Sequence, residues 1–473
     1  MKTLQNLIDG KWADSRGDVL LDLVNPATEE IIARHPAGSA EDVDLAVTAA
    51  VAAHPAWAAT PLDERVARIS AWADVVAAHG DELVDLECRE MGKPLGIGRT
   101  FLDGAVAGLR AATADALSYD FEEIVDRPDG GRTRILRHPL GATAVITPWN
   151  FPVTAVLAAV GPLLAAGNTV VIKPSERGPL SVARLLELAD LPPGVVNLVL
   201  GDGRAGAPLA EHEQIRLVHF TGSVATGKRV GAAAGERLRR AVLELGGKDP
   251  VVVDADVDPV ATAGAVAFGA FINTGQICTS MERVYVHRAI AEPFIEALVA
   301  AAESFAFGDG LDEGVMLGPL VDRQQRDVVA RHVEDAVRKG AKVRTGGVVP
   351  EGKGFFYPPT VLTGVDDSML VMTEETFGPV APVVVVDSFE EGLERASRSK
   401  YGLAATVYTA DPDHVDAAAR IPAGVTWVNQ WQGGGPERLY EPSGESGMGA
   451  TGAHAAFDAA TRPASVHIAA ENA

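Results

Sequence analysis

From Gly141 to Leu245, short apolar runs alternate with amphipathic stretches, and this pattern constrains the fold more than any other feature of the chain. Ala144-Val145-Ile146 precedes a helical stretch from Pro152 to about Ala166, and Thr169-Val170-Val171-Ile172 precedes one near Leu180 to Ala189. Val195 to Leu200 and Leu217-Val218-His219-Phe220 are the next apolar runs. A helix from about Val224 then leads to a run ending in Leu243-Glu244-Leu245. Strands apolar along their whole length are buried on both faces, and strands separated by helices pair in parallel. Right-handed crossovers then gather the ligand loops of such a sheet at the carboxyl ends of its strands. The alternation resumes from Asp258 to about Val428, which predicts a second α/β domain.

The flanks read differently. Residues 1 to about 35 have the texture of short strands and turns, with Asn25-Pro26-Ala27-Thr28 as a turn signal. Ala40 to Tyr119 is Ala-rich with apolar residues at helical spacing. Arg132 to His138 has no helical period and carries long basic side chains, as an exposed strand or hairpin in need of a partner would. The tail from Gly433 is rich in Gly, Pro and Ser and then in Ala. Lys and Arg number 41 against 64 Asp and Glu, for a net charge of -23, which repels phosphate backbones and anionic membranes. No nucleic-acid or membrane partner is therefore expected. Two cysteines, scattered histidines and no export signal at the N-terminus point to a reduced, cytoplasmic protein without a metal site.

Several polar motifs fall at predicted strand ends. Gly201-Asp202-Gly203-Arg204-Ala205-Gly206 has the spacing of a dinucleotide fingerprint. The strand after it ends in Phe220-Thr221-Gly222-Ser223 without the ribose-binding acid, so a Gly-rich turn is the better reading. Gly222-Ser223-Val224-Ala225-Thr226-Gly227 opens a helix directly after a strand, where free N–H groups suit a phosphate. Lys173-Pro174-Ser175-Glu176 closes the neighbouring strand with groups that can bond ribose hydroxyls. Pro148-Trp149-Asn150-Phe151-Pro152 and Glu244-Leu245-Gly246-Gly247-Lys248 end two more. Each read alone is a turn or a solvated loop.

Phe271-Ile272-Asn273-Thr274-Gly275-Gln276-Ile277-Cys278-Thr279-Ser280 holds one of the two cysteines. Gly275 and Gln276 interrupt the small apolar helical run Ala261 to Phe271, so the chain is expected to turn just before the sulfur. A thiol at such a break can face a cavity. A lone buried cysteine is otherwise a structural residue, and Cys88 is read that way.

Taken together and in this order, the motifs resemble the aldehyde dehydrogenase superfamily, from Asn25-Pro26-Ala27-Thr28 through Glu374-Glu375-Thr376-Phe377-Gly378-Pro379. The resemblance implies a variant Rossmann NAD-binding domain over 1–120 and 142–245 and an α/β catalytic domain over 246–438. It also implies a β oligomerisation arm and tail over 121–141 and 439–473, with a homodimer or homotetramer as the assembly. Cys278 then corresponds to a nucleophile, Asn150 to an oxyanion donor and Glu244 to the base that activates water. Lys173 and Glu176 correspond to residues that bind the adenosine ribose, Ser223 to one that meets the pyrophosphate, and Glu375 and Phe377 to residues that position the nicotinamide ribose and ring. Thr147, Pro148, Trp149, Ser175, Gly203, Gly222, Gly227 and Leu245 complete the cofactor set. The implied reaction oxidises an aldehyde to its acid through a thioester. Glu176 favours NAD over NADP, although Lys173, or Arg177 if turned inward, would soften the preference.

The sequence departs from the family's pattern twice. The usual Pro-Phe-Gly-Gly-x-Lys-x-Ser-Gly run is Leu439-Tyr440-Glu441-Pro442-Ser443-Gly444-Glu445-Ser446-Gly447, with Gly444 in place of the lysine. Ala159 stands where a basic residue is common. Both changes concern the substrate tunnel and the family's proton relays, and both argue against betaine aldehyde as substrate. The small or apolar neighbours Ile277 and Thr279 offer no anchor for an anionic substrate tail. The alternatives are a CoA-acylating semialdehyde dehydrogenase, whose kind typically lacks the glutamate at 244, or a non-catalytic structural relative.

Overall fold

The computed structural model describes residues 2–434 and 439–470. Two sheets organise it. The first contains Arg240–Glu244, Leu217–Thr221, Ala142–Thr147, Thr169–Pro174 and Val196–Leu198 side by side in that order, all parallel. Every residue of Ala142–Thr147 and Thr169–Pro174 is buried, which is why these strands read as unbroken apolar runs. Alternate side chains enter two separate cores. Val145, Val170 and Ile172 pack with Ile69, Leu109 and Val156 from helices on one face. Ala144, Ile146 and Val171 pack with Val43, Val47 and Leu209 on the other. The chain reverses its direction of travel across the sheet between Ala142–Thr147 and Leu217–Thr221, so a crevice opens at their carboxyl ends.

The second sheet runs Lys342–Thr345, Thr360–Thr363, Val380–Val386, Met281–His287, Asp249–Val253, Ala404–Tyr408 and Val425–Val428. Only Lys342–Thr345 is antiparallel to its neighbour. The mixed α/β architecture with parallel sheets follows from the alternation in the sequence. Helical spacing in 40–119 becomes the helices Ala40–Ala59, Leu62–Ala78, Gly80–Met91 and Leu95–Ser118. Among the described residues no single helix is long and apolar enough to cross a membrane.

The partner for the basic segment comes from the chain's own end. Arg132–Pro139 lies between Glu122–Asp126 and Thr461–Ile468, antiparallel to both. Arg134 pairs across the ribbon with Glu122 at 2.6 Å, and Arg137 reaches Asp458 on the helix Ala453–Ala460 at 3.0 Å. The rest of the tail does not stay with this arm. Ser443–Gly444 pairs with Tyr401–Gly402, and Gly447–Met448 extends the first sheet beside Arg240–Glu244. The helix Ala453–Ala460 buries Phe457 in the first core, against Tyr119 and Phe121. A few apolar residues in an Ala-rich stretch give too little periodicity for this division to be read from sequence. The expected boundary at 438 lies outside the described residues.

Candidate active site

The helix carrying the cysteine loop runs Pro259–Phe271, started by Asp258, whose carboxylate accepts from the N–H groups of Val260 and Ala261. It ends sooner than Gly275. Asn273 and Thr274 adopt φ of 51° and 57°, so the turn before the sulfur is built by three successive left-handed residues, with Gly275 at 69° the last. Only glycine fits at 275, because a Cβ there would come within 2.2 Å of the Gly378 carbonyl oxygen. That contact brings the loop of Cys278 against the loop of Phe377.

The Cys278 thiol is half-buried, and its pKa is raised, first by burial and next by the charge of Glu244. Glu244 ends the strand Arg240–Glu244, and three residues on, Gly247 packs against the loop of the sulfur, where a Cβ would come within 2.8 Å of the Cys278 carbonyl oxygen. Burial also raises the thiol of Cys88, whose sulfur packs against Gly310, to about 12. Asn150 is buried, and one amide N–H donates to the Gln276 carbonyl at 2.9 Å. An amide has two such hydrogens, so one remains for an oxygen in the cleft. Gln276 is in turn locked by the Val321 N–H at 2.9 Å and by donation to the Asn273 carbonyl at 3.1 Å.

Glu375, Thr376 and Phe377 are held by a buried ion pair. Lys248 Nζ lies 2.5 Å from Glu282 Oε2 and donates to Thr376 Oγ1 at 3.0 Å. The two Glu282 oxygens accept from the N–H groups of Thr376 and Phe377 at 2.8 and 2.9 Å. Phe377 is thereby held at φ 49°, with its ring edge-on to Trp149 at 5.5 Å. Glu375 Oε1 accepts from the Gly247 N–H at 3.1 Å, and burial, followed by the charge of Glu282, raises its pKa to about 8.

The remaining named residues line the crevice of the first sheet. Thr147 ends one strand, with Pro148 and Trp149 just beyond it, and the buried Thr147 hydroxyl has no hydrogen-bond partner among the described residues. Lys173 is buried with Nζ 3.9 Å from Glu176 Oε2, and burial lowers its pKa against the pull of Glu176 and Asp202. Ser175 turns the chain by accepting from Arg177 N–H at 3.3 Å. Arg177 is partly buried and paired with Asp322, the cap of the helix Arg323–Arg338, at 2.9 Å. Gly222 donates to the Glu244 carbonyl at 3.0 Å, and Ser223 caps the helix Val224–Glu236. Gly227 lies against Leu245. Gly203 begins the helix Gly203–Glu211, capped by Asp202, whose charge reaches Lys173. The Gly-rich turn is thus a helix start beside the lysine.

This arrangement can be compared with known proteins. The profile of the aldehyde dehydrogenase family matches residues 12–466. The chain belongs to the aldehyde dehydrogenase family. It is 37% identical to a phenylacetaldehyde dehydrogenase of Pseudomonas fluorescens over 98% of this chain and 96% of that one. A putative aldehyde dehydrogenase from Burkholderia cenocepacia superposes with a TM-score of 0.97 at 36% identity, covering 100% of this chain and 99% of that one. An NAD+ complex of an aldehyde dehydrogenase from Bacillus cereus superposes at 0.96 with 34% identity, over 99% and 97%.

Against the family's pattern, the two departures have local explanations. Gly444 has φ 59°, and a Cβ there would come within 2.5 Å of the Lys400 carbonyl oxygen, so this backbone excludes a lysine. Ala159 is a buried core residue of Pro152–Ala165. The retained Ser446 is fully buried, accepting from Gly402 N–H and donating to the Gly246 carbonyl. Sequence reasoning missed the supports: Asn273, Gln276, Lys248 and Glu282. It also assigned no histidine a role, yet both His35 ring nitrogens lie 3.0 Å from carbonyl oxygens, those of Pro36 and Glu176. His35 follows an exposed arginine in the strand Ile31–Pro36, so the sequence there gave no clear sign that it is buried.

Proposed function

We propose that this aldehyde dehydrogenase oxidises an aldehyde to the carboxylic acid with NAD, through a thiohemiacetal and then a thioester on Cys278. The reading rests above all on one observation: the half-buried Cys278 lies in a loop locked to Asn150 through Gln276 and packed against Gly247, just beyond Glu244. Burial holds the thiol protonated, so its proton passes to water as the sulfur attacks; the Glu244 carboxylate can assist this step, but its main task is the later hydrolysis, which it enters ionised. The oxygen of the resulting tetrahedral adduct is held by the free amide hydrogen of Asn150 and the Cys278 backbone N–H. Losing one such donor costs about 100- to 1000-fold in rate. Bound NAD would supply the hydride acceptor. The residues suit it: a lysine and a carboxylate for a ribose, an open helix start at Ser223, and an unpartnered Thr147 hydroxyl. Once hydride has left, Glu244 takes a proton from water, which attacks the thioester and releases the acid and the thiol.

In this reading the sheet containing Ala142–Thr147 binds NAD and the sheet containing Asp249–Val253 supports catalysis. The arm serves a homodimer or homotetramer. Its outer strands carry the exposed Ile124, Val125, Val466 and Ile468. The presence of Glu244 favours water over CoA as the group that resolves the thioester. Assays of simple aldehydes at the NADH absorbance band, with and without CoA, test the reading. Acid and NADH should form without CoA; an absolute need for CoA, or no NADH with any aldehyde, would overturn it.

A further inference from the structure

Glu244 does not stand alone at its strand end. Thr451 Oγ1 donates to Glu244 Oε1 at 2.9 Å, across 207 residues of sequence. Thr451 is itself fixed by a two-way backbone bridge with Tyr440, at 3.0 and 2.7 Å. The segment between them is bound to the glutamate's own strand. Leu243 and Glu244 pair with Met448 and Gly447, the Leu245 N–H donates to the Ser446 carbonyl at 2.9 Å, and Ser446 Oγ donates to the Gly246 carbonyl at 2.8 Å. The hydroxyl is therefore mounted on a frame that moves with the carboxylate. The two basic side chains expected nearby are absent, replaced by Ala159 and Gly444.

We propose that Thr451 is a positioning residue for Glu244, holding one carboxylate oxygen and so fixing how the carboxylate is turned for the water that hydrolyses the thioester. The proposal rests on Glu244 being the hydrolytic base. A hydroxyl that donates to a carboxylate also favours its ionised form, so the base stays ready at lower pH. Among the described residues around this strand, Cys278 feels the charge of Glu244, while Lys228 on the helix Val224–Glu236 and Glu445 in the tail pair with each other at 2.6 Å. Hydride loss precedes hydrolysis, so the first turnover should not need Thr451.

The experiment compares Thr451→Val, Thr451→Ser and Glu244→Gln with the unmodified full chain. A rapid-mix burst of NADH is followed by the steady rate over a pH series. Thr451→Val should keep the burst, lose about tenfold in steady rate, and move the acid limb of kcat upward by about one pH unit. Thr451→Ser should stay close to the unmodified enzyme. An unchanged steady rate and acid limb in Thr451→Val overturns the proposal, and so does an equal loss in the Val and Ser variants, which would make the role one of packing. Should Thr451→Val fail to fold, Thr451→Ala carries the same readouts. The Glu244→Gln arm separates the two ideas: an undiminished steady rate there removes Glu244 as the base and refutes the underlying reading, whereas a slow Glu244→Gln beside a normal Thr451→Val refutes only the role of the threonine.

Discussion

The proposed ribose end of the crevice, around Lys173 and Glu176, and the proposed reaction centre, around Cys278, are built in opposite ways. At the ribose end, the polar groups are close in sequence and partly open to solvent: Lys173 and Glu176 lie within one turn, and Ser223 caps its own helix. At the reaction centre, almost every group is tied across the chain. Asn150 reaches Gln276 over 126 residues, Gly247 reaches Glu375 over 128, and Glu282 reaches Phe377 over 95. A locally built edge can be retuned one side chain at a time. A knot of long-range bonds transmits each change to its neighbours, because every buried polar group depends on a partner elsewhere.

The sharpest way to break this comparison is to remove the sulfur. Cys278→Ser should lose nearly all dehydrogenase turnover while NAD affinity, measured by calorimetry or fluorescence, stays close to normal, since a hydroxyl is far less ionised than a thiol. Turnover above a few per cent of the unmodified enzyme would remove Cys278 as nucleophile. A large loss of NAD affinity would show that the two regions are not separable.

A buried support should come next. Lys248 and Glu282 are 1% and 4% exposed at their side chains, so Lys248→Met leaves a buried carboxylate without its cation. Breaking such a pair from one side costs about 3–5 kcal/mol, while replacing both partners costs much less. Lys248→Met should therefore lower thermal stability and loosen the Phe377 loop, seen as a raised KM for NAD, and adding Glu282→Gln should recover most of the stability. Equal stability of the single variant and the unmodified enzyme would mean that the centre is not coupled as described.

How much of this was legible follows from the same contrast. Unbroken apolar strands such as Val251-Val252-Val253 announce a parallel sheet, because burial on both faces is written locally in their composition. The strand-end motifs were readable for the same reason, and resemblance to a family supplied their expected roles. Lys248 and Glu282 were not readable. A single charge beside a strand looks solvated until its partner, 34 residues away, is known to be buried with it. The left-handed turn at Asn273 and Thr274 was placed slightly late, at Gly275, because neither residue advertises positive φ as glycine does. Thr451 lies in a tail whose Gly-rich and Ala-rich texture gave no sign that it folds back onto Glu244.

The smallest effect belongs to the ribose end. Glu176 faces Lys173 there, its backbone carbonyl is held by His35, and Arg177 is turned away to Asp322, leaving little to welcome a 2′-phosphate. The unmodified enzyme should have a higher kcat/KM with NAD than with NADP, by roughly 5- to 150-fold. Glu176→Ala should narrow that ratio mainly by weakening NAD, with little change in kcat. Equal or better use of NADP by the unmodified enzyme would contradict the placement of Glu176.

The thioester itself offers the most direct test. Glu244→Gln should still form it but hydrolyse it slowly, so mixing this variant with NAD and an aldehyde, quenching in acid and mapping peptides by mass spectrometry should reveal an acyl group on the Cys278 peptide. The acyl group should be missing without NAD and should not accumulate in the unmodified enzyme. An unmodified Cys278 peptide in the presence of accumulated NADH, or an acyl group on another residue, would contradict the account.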